Sequence, residues 1–302
     1  MTARKTVIVI AGPTAVGKTA VAIAVAKRLN TEIISADSRQ CYKELKTGVA
    51  RPSEEELQQV KHHFIATHSV RDEVTAAVFE KYALQKAEEL FRQQDSIVMV
   101  GGTGLYIQAF CEGLDTIPAI DPAIREKIIH DYEEKGLDWL QQKIKEKDDA
   151  FYQSGEIKNP RRLMRALEVI ESTGRSILSY RNKEKKARDF AVIFIGLTVP
   201  KDELHQHIET RVDRMINDGL VEEVRSLMPY RGLKALDTVG YTEIFDHLEG
   251  NIWLEKAVEQ IKTNTRQYAK RQLTWFKKHT ALKWFPPSGI DEIMDWVKRE
   301  EG

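Results

Sequence analysis

The chain has 302 residues, of which 42% are apolar and 30% charged, and its 46 lysines and arginines balance 46 aspartates and glutamates. This length fits one large domain or two smaller ones, and the apolar content is sufficient for a complete core. The longest apolar runs are strand-length and fall short of the roughly 20 residues that a membrane-spanning helix needs. Composition therefore argues against fibrous, disordered and membrane-spanning classes, while the zero net charge neither supports nor excludes a nucleic-acid partner.

Cysteine and histidine usage gives no sign of a metal-binding or disulfide-bonded protein. Cys41 and Cys111 form no C-x-x-C pair, so the sequence predicts neither a zinc site nor a disulfide framework. The adjacent His62 and His63 would point to opposite faces of a strand and are poor co-ligands. Because residues 6–11 already have the pattern of a strand, we expect no signal peptide. We expect a cytoplasmic protein that does not enter a membrane.

The first predicted strand leads into a glycine-rich loop. The apolar run Thr6–Ala11 is followed by GPTAVGKT and then by an alanine-rich helical pattern. The spacing G-x-x-x-x-G-K-[ST], between a strand and a helix, is that of a loop whose backbone N–H groups hold phosphate oxygens. We expect Lys18 to reach the outer phosphate and the Thr19 hydroxyl to contact Mg²⁺. The predicted phosphate-binding residues are Gly12, Pro13, Thr14, Ala15, Val16, Gly17, Lys18 and Thr19.

Strands and helices continue to alternate as far as residue 118. The segments TEIISADS, HHFIATHS and SIVMVGG are candidate strands, and an amphipathic helix with Phe79, Ala83 and Ala87 on one face precedes the last of them. Near-continuous apolar strands of this kind form parallel sheets with helices on both faces. We therefore predict an α/β fold with a P-loop NTPase-like parallel sheet flanked by helices, and residues 1–118 as the first part of this core.

A charged helical segment then interrupts the pattern. Residues 119–188 contain no strand-like run, and turn signals divide them at Gly136, Gly155, Asn159-Pro160 and Gly174. The segment FAVIFIGLTV, residues 190–199, follows as a buried-type strand. The simplest interpretation is an all-helical insertion domain between two strands of one sheet, with residues 189–302 as the second part of the core.

Two strand ends carry the residues that bear on the chemistry. The strand SIVMV ends in Gly101-Gly102-Thr103-Gly104, where an ATPase or GTPase usually has a metal-holding aspartate. The missing aspartate argues against a motor or switch NTPase. Because ligands of open α/β sheets bind beyond the carboxyl ends of the strands, we expect Asp37, Thr103 and the glycine loop to share one crevice. Asp37 is a candidate metal ligand or general base, and the alternative is that it caps the next turn.

Positive charge is concentrated in the last long helix, predicted from about Trp253 to His279. Seven lysines or arginines and no acidic residue lie between Lys262 and Lys283. We interpret this basic face as an RNA contact, and a second basic cluster at residues 158–165 favours the same interpretation. The alternative is a solvated face of a structural helix. The predicted core face is Leu254, Val258, Ile261, Thr265, Tyr268 and Trp275, and the predicted basic face is Lys262, Arg266, Lys270 and Lys277.

Several segments together resemble the tRNA dimethylallyltransferases, also called isopentenyl-tRNA transferases. The resemblance covers nearly the whole chain and is carried by GPTAVGKT, ISADSRQCYKELKTG, VGGTGLYIQAFCEGL, NPRRLMRALEV, LHQHIETRVDRMINDGLVEEV, VGYTEI and TRQYAKRQLTWF. The first segment is shared with many P-loop proteins, whereas the others, in this order, are far more specific. The eukaryotic relatives carry a C-terminal zinc finger, which this sequence does not show, so we expect a bacterial-type enzyme.

The resemblance implies a reaction and its partners. A dimethylallyl group would pass from dimethylallyl diphosphate to the exocyclic amine of the adenosine 3′-adjacent to the anticodon, in tRNAs that read codons beginning with U. The glycine loop would then hold a diphosphate leaving group together with Mg²⁺, and not ATP. The expected partners are dimethylallyl diphosphate and the anticodon stem-loop of tRNA, and we expect a monomer.

The resemblance also assigns roles to individual positions. Asp37 matches the family's general base, Thr103 matches a residue near the reacting centre and the bridging oxygen, and Arg211 matches an arginine on the diphosphate. The positions that match tRNA contacts are Asp37, Ser38, Arg39, Gln40, Thr103, Arg125, Arg161, Arg162, Leu163, Met164, Arg165, Gly240 and Tyr241.

Three other functions remain open at this point. A related adenylate isopentenyltransferase acting on free AMP, ADP or ATP would use the same loop and Asp37, but it would need neither the insertion nor the basic helix. A P-loop small-molecule kinase could use the insertion as an arginine-bearing lid, and a non-catalytic RNA-binding protein would tolerate the loss of Asp37. The sequence also departs from the family's usual G-T-A-K-P at Gly48–Pro52, where Val49 lacks a hydroxyl, and we assign that position no role.

Overall fold

The computed structural model describes residues 4–155, 157–181 and 185–301. Within these residues one six-stranded sheet has the order β3-β2-β4-β1-β5-β6, and all of its strand pairs are parallel. The predicted α/β fold is confirmed. The strands are β1 (Thr6–Ala11), β2 (Ile33–Ser35), β3 (His62–His63), β4 (Ser96–Gly101), β5 (Ala191–Leu197) and β6 (Lys283–Phe285).

Strand β1 lies at the centre of the sheet between β4 and β5. Its register pairs Thr6 with Ser96 on one side and with Ala191 on the other. All six of its residues are buried, because helices cover both faces of a parallel sheet. This explains the unbroken run of β-branched and apolar residues, which suits a strand without a solvent-facing side. The glycine loop follows directly from the carboxyl end of this central strand.

Twelve α-helices are present in the described residues. Three short 3₁₀ helices, at Ile177–Tyr180, Met228–Tyr230 and Lys234–Leu236, accompany them. The α-helices are α1 (Lys18–Leu29), α2 (Glu54–Gln59), α3 (Ala76–Phe91), α4 (Gly104–Glu112), α5 (Pro122–Lys147), α6 (Asp149–Gln153), α7 (Pro160–Thr173), α8 (Lys201–Asn217), α9 (Leu220–Ser226), α10 (Tyr241–Leu248), α11 (Leu254–Phe276) and α12 (Ile290–Glu301). Among these described helices, none is both long and apolar enough to cross a membrane.

The chain forms two compact units. One contains the sheet and comprises residues up to Gly113 together with those from Ala187 onward, and the other is Leu114–Lys186. The sequence-based boundaries of the insertion were 119 and 188, so the compact unit begins five residues earlier and ends two residues earlier.

The second unit is helical and has its own core. The side chains of Leu140, Ile144, Phe151 and Leu163 are fully buried there. Its turn signals act as expected: Asn159 caps α7 through a bond from the Arg162 N–H. Gly136, with φ 76°, interrupts α5 in a backbone region that glycine tolerates best.

The structure confirms part of the predicted core face of α11, since Ile261 is buried and Leu254, Val258 and Trp275 pack against the core, and it corrects Tyr268. The buried residues of this helix are Ala257, Ile261, Ala269, Gln272 and Phe276, whereas Tyr268 is 37% exposed. Large apolar residues dominated the periodicity in the sequence, yet the close-packed face uses two alanines and an amide. Close packing of this helix is seen at the turn after β4, where Gln272 and Trp275 lie against Gly102 and Gly104.

Candidate functional site

The glycine loop adopts a concave backbone conformation at the N-terminus of α1. Ala15, with φ 64°, and Gly17, with φ 94°, both have left-handed φ values, which turn successive N–H groups toward one side. Gly17 is the N-cap, so the N–H groups of Lys18 and Thr19 lie in the first helical turn, which lacks intrahelical partners. The helix dipole adds partial positive charge at the same place. A backbone of this shape can hold phosphate oxygens, which is the role that the spacing predicts for it.

Lys18 lies inside this site and interacts with two other charged groups. Its ammonium donates to the Pro13 carbonyl at 2.7 Å. Burial and the neighbouring Arg211 guanidinium lower the pKa of Lys18 to about 8, although Asp37 acts in the opposite direction. Burial likewise lowers the pKa of Arg211, which Asp37 and Tyr268 partly restore. The site therefore holds two cations whose charge an anionic ligand would stabilise.

Asp37 lies two residues beyond the end of β2 and is half-buried. Its Oδ1 accepts hydrogen bonds from the Arg39 N–H at 2.8 Å and the Gln40 N–H at 3.2 Å. Asp37 therefore does cap the following turn, which was one of the two predicted roles. Both bonds end on Oδ1 and do not occupy Oδ2, so the cap leaves the second oxygen for a substrate. The two roles are compatible in one carboxylate.

Thr103 lies beside this turn, at the N-terminus of α4. Its Oγ1 accepts from the Ser38 N–H at 3.1 Å, and its own N–H donates to the Ala36 carbonyl at 3.2 Å. The next residue, Gly104, packs so closely under α11 that a Cβ there would lie 2.0 Å from the Trp275 indole nitrogen. Only glycine fits this contact. Asp37, Thr103 and the glycine loop thus share one crevice at the carboxyl edge of the sheet, as predicted.

Helix α11 supplies two site residues that the sequence analysis missed. Burial and the charge of Asp37 raise the pKa of the Tyr268 phenol to about 12, while the residue as a whole is 37% exposed. The Arg271 guanidinium lies 5.8 Å from the centre of that ring. The buried Gln272 joins the glycine loop to the turn before Thr103. In the sequence, Tyr268 and Gln272 lie at the spacing of a buried helix face, so nothing there distinguished them from ordinary core residues.

A carboxylate on α9 holds the loop next to the Asp37 turn. Glu223 accepts from the N–H groups of Thr47 at 2.7 Å and of Gly48 at 3.2 Å, and from the Tyr241 hydroxyl at 2.5 Å. The carbonyl of the following residue, Val49, accepts from Gln40 and from Arg211. The Val49 side chain is buried in the core, 8% exposed, so an apolar residue is well placed where the family pattern has threonine.

The structure buries Gly240 and Tyr241, two residues at which the sequence predicts a tRNA contact. Tyr241 is 0% exposed and donates to Glu223, and Gly240 is also buried. Their role here is packing, so a contact with a partner would fall to their neighbours. Arg39 connects this region to the Asp37 turn, because its guanidinium donates to the Asp237 carbonyl at 3.0 Å.

The predicted tRNA contacts of the helical unit differ among themselves. The side chain of Leu163 is fully buried in that unit's core. Arg125 and Arg165 both pair with Glu168, at 3.8 Å and 3.1 Å, and the Glu168 side chain is only 7% exposed. This buried carboxylate orients two arginines on one surface. Arg161 and Arg162 are exposed, and Met164 is half-buried.

The basic face of α11 is partly neutralised by carboxylates from α8. Lys262 pairs with Asp213 at 2.9 Å, and Arg266 pairs with Glu209 at 2.9 Å. The absence of acidic residues between Lys262 and Lys283 was therefore misleading, because Asp213 and Glu209 come from another helix and Glu259, just before this stretch, lies 3.6 Å from Lys262. Further along α11, exposed basic residues continue the face. A cavity of about 720 Å³ opens there, and its basic lining residues are Lys201, Arg266, Lys270 and Lys277.

The histidines have structural partners. His63 Nε2 lies 2.5 Å from Glu32, and His62 Nδ1 lies 2.8 Å from the Val60 carbonyl. Across the described ranges, no three His, Cys, Asp or Glu side chains are grouped as metal ligands. Thr19, in the first turn of α1 and half-buried, is the predicted metal contact in the phosphate site.

A parallel sheet whose central strand leads through a glycine-rich loop into a helix defines the P-loop class of phosphate-binding α/β proteins. The sequence profile of the IPP transferase family matches residues 40–279. The chain belongs to this family. The resemblance inferred from the motifs is thereby confirmed, and the protein is a transferase.

Relatives of known name match almost the full length. A tRNA dimethylallyltransferase of Christiangramia forsetii is 48% identical over 290 residues, which cover 96% of each chain. One of Cytophaga hutchinsonii is 43% identical over 294 residues, or 97% of each chain.

Solved structures also resemble this one. The crystal structure of a tRNA isopentenylpyrophosphate transferase from Bacillus halodurans has a TM-score of 0.74 and 33% identity, and the match covers 99% of this chain and 97% of that one. A eukaryotic dimethylallyltransferase acting on tRNA has a TM-score of 0.74 at 28% identity, covering 90% of this chain and 69% of that one.

Proposed function

We propose that this protein transfers a dimethylallyl group from dimethylallyl diphosphate to the exocyclic amine of the adenosine 3′-adjacent to the anticodon, in tRNAs that read codons beginning with U, and releases diphosphate. The observation that carries the proposal is the grouping of three charged residues beside the glycine loop, where Asp37 is close enough to raise the pKa of both Lys18 and Arg211 against the effect of burial. A base and a leaving-group site are thus combined. Family membership and the named relatives support the same reaction.

The glycine loop would hold the diphosphate. As the bond between the allylic carbon and the bridging oxygen breaks, negative charge grows on the departing diphosphate. Lys18, Arg211 and the N–H groups of the loop would stabilise that charge, in surroundings where it is worth more than in water. The Thr103 hydroxyl, held beside Ser38, would lie near the bridging oxygen. No water has to be aimed at a γ-phosphate, which fits the absence of a carboxylate after β4.

Asp37 would accept the proton of the attacking amine. The amine nitrogen forms the new bond to the allylic carbon, and its proton passes to Oδ2, the oxygen that the turn does not use. Oδ1 stays fixed by the N–H groups of Arg39 and Gln40, so the carboxylate keeps its direction during the reaction. A positioned base of this kind contributes typically 10²- to 10⁴-fold to a rate.

The donor set fits Mg²⁺ bound together with the diphosphate. Mg²⁺ usually takes one or two protein oxygens and completes its shell with substrate phosphates and water. The Thr19 hydroxyl lies in the first turn of α1, where those phosphates would bind. The ion would neutralise charge on the leaving group when bound.

The RNA would bind through shape, phosphates and stacking. An adenosine inside a folded anticodon loop has to leave its stack to reach a buried donor. Tyr268 with Arg271 offers a flat, partly exposed surface at the crevice, and exposed basic residues of α11 extend from it. In the helical unit, Arg161 and Arg162 with the arginines oriented by Glu168 supply further phosphate contacts. We further propose that the enzyme acts as a cytoplasmic monomer.

One incubation tests the proposal against its nearest rival. The protein is mixed with dimethylallyl diphosphate, Mg²⁺, an unmodified anticodon stem-loop and AMP, and mass spectrometry measures every product. We expect a five-carbon addition to the stem-loop that Asp37→Asn slows by roughly 10²-fold or more and that Asp295→Asn, on the exposed face of α12, leaves unchanged. Addition to AMP alone would assign the protein to free-nucleotide prenylation, and no addition to either would refute prenyl transfer.

A further inference from the structure

Gln272 spans two parts of the site that are far apart in sequence. Its Oε1 accepts from the Thr14 N–H at 2.8 Å, and its Nε2 donates to the Gly102 carbonyl at 2.9 Å. Thr14 belongs to the glycine loop, and Gly102 immediately precedes Thr103. The side chain is 7% exposed, so both bonds are shielded from water. One amide therefore connects the phosphate site to the turn that carries the Thr103 hydroxyl.

The Gln272 amide packs against a glycine at a position that leaves no room for a side chain. A Cβ on Gly102 would lie 2.2 Å from Gln272 Nε2, and one turn of helix further the Trp275 indole fills the equivalent space above Gly104. The two glycines therefore allow α11 to press its polar and aromatic side chains directly onto the turn.

We propose that Gln272 is a positioning residue for the transfer reaction. The amide turns the Thr14 N–H toward α11 and fixes the distance between the diphosphate site and Thr103, so the leaving group and the reacting centre stay aligned. This inference rests on the proposed function. A small misplacement of reacting groups costs up to about 100-fold in rate. Gln272 can therefore affect the rate even though it touches no substrate.

Two substitutions separate the hydrogen bonds from simple packing. Gln272→Met keeps the length of the side chain and removes both bonds. Gln272→Glu, when ionised, can accept from Thr14 but places a negative oxygen against the Gly102 carbonyl. When protonated, the introduced carboxyl can accept from Thr14 and donate to Gly102, as the amide does. Burial beside a carbonyl favours the protonated form, so function should return as the pH falls.

The experiment measures affinity for inorganic pyrophosphate by calorimetry between pH 5.5 and 8, and stem-loop prenylation at the same pH values. We expect Gln272→Met to weaken pyrophosphate binding at every pH and to lower kcat roughly 10- to 100-fold, with the KM for the stem-loop unchanged. We expect Gln272→Glu to approach the wild type at low pH and to exceed Gln272→Met there. Gln260→Met, on the same helix away from the turn, is the control.

Each other outcome contradicts the inference in a different way. If Gln272→Met binds pyrophosphate and reacts like the wild type, the two hydrogen bonds of Gln272 have no role in the reaction. If Gln272→Glu never exceeds Gln272→Met, the hydrogen bonds are not what matters. A wild-type protein that binds no pyrophosphate and prenylates no stem-loop would refute the proposed function itself, whereas an active wild type with indifferent variants would refute only the role of Gln272.

Discussion

Asp37 uses its two carboxylate oxygens for different purposes. Oδ1 holds the turn through the N–H groups of Arg39 and Gln40, and Oδ2 is left for a proton. Capping and catalysis by one residue are separable, because an asparagine carbonyl can cap but its amide is no base. The same division explains why the sequence could not decide between the two roles: an aspartate after a strand is typical of both.

For Asp37 we expect the asparagine and alanine variants to differ in stability but not in activity. Asp37→Asn keeps an oxygen for the two N–H groups, whereas Asp37→Ala loses the cap and about 1 kcal/mol of the free energy of unfolding. Both should lower kcat by roughly 10²-fold or more. Urea unfolding and stem-loop prenylation measure the two effects. An active Asp37→Asn would rule out Asp37 as the base.

Lys18 should make diphosphate binding depend on pH. In the free protein its pKa is lowered to about 8, so above that pH the ammonium loses its proton, while a bound anion stabilises the charged form. Affinity for pyrophosphate should therefore fall as the pH rises above 8, by up to about tenfold per pH unit. Lys18→Met should bind pyrophosphate weakly and should lack this pH dependence. Because the ionisation of pyrophosphate itself affects both proteins equally, the difference between them isolates the contribution of Lys18. Parallel pH dependence in both proteins would contradict the assignment.

At the scale of elements, helix α11 combines packing, site and surface functions. Its buried face includes Gln272, which contacts the glycine loop, and Tyr268 lies nearby with part of its surface exposed. On its basic face, Lys262 and Arg266 pair with carboxylates of α8, whereas other lysines are exposed. The existence of this helix and of β1, β4 and β5 could be predicted from periodicity. The faces of α11 could not, since Asp213 and Glu209 approach from a different helix and only tertiary packing brings them there.

This division predicts two kinds of lysine on one helix. Lys270→Gln and Lys277→Gln should weaken binding of the stem-loop and reduce the slope of log affinity against log salt by about 0.7 to 0.9 per lost phosphate contact. Lys262→Gln removes a partner of Asp213 and should leave that slope unchanged. Fluorescence anisotropy over a salt series measures the three variants. Equal losses of slope in all three would show that the pairs with α8 open when RNA binds.

At the scale of the whole molecule, the two units differ in what the sequence could reveal. The absence of strand-like runs was enough to locate the helical insertion, because that property is local. Contacts such as that of Gln272 with Thr14, 258 positions apart, have no local signal and appear only when the sheet is assembled. The role of Glu223 was missed for the same reason, since Thr47 and Gly48 lie 176 and 175 positions from it.

Separate cores predict separate responses to a core mutation. Phe151 is fully buried in the helical unit, so Phe151→Ala should cost about 3 to 5 kcal/mol there. Hydrogen exchange should quicken within residues 114–186 while pyrophosphate affinity stays unchanged. Phe79→Ala, at an equally buried position beside the sheet, should have the converse effect. Loss of protection throughout the chain in both variants would mean that the units unfold together.

The central position of β1 has a consequence for the order of events during synthesis. Thr6 pairs with Ala191, so one edge of the strand stays without its neighbour until nearly two-thirds of the chain has been made. At typical rates of protein synthesis that delay is on the order of ten seconds or more. An apolar strand edge is a template for pairing with other chains. The helical unit, whose contacts are local, can fold on the ribosome within this interval, so aggregation of the nascent chain should be most sensitive to whatever slows the arrival of β5.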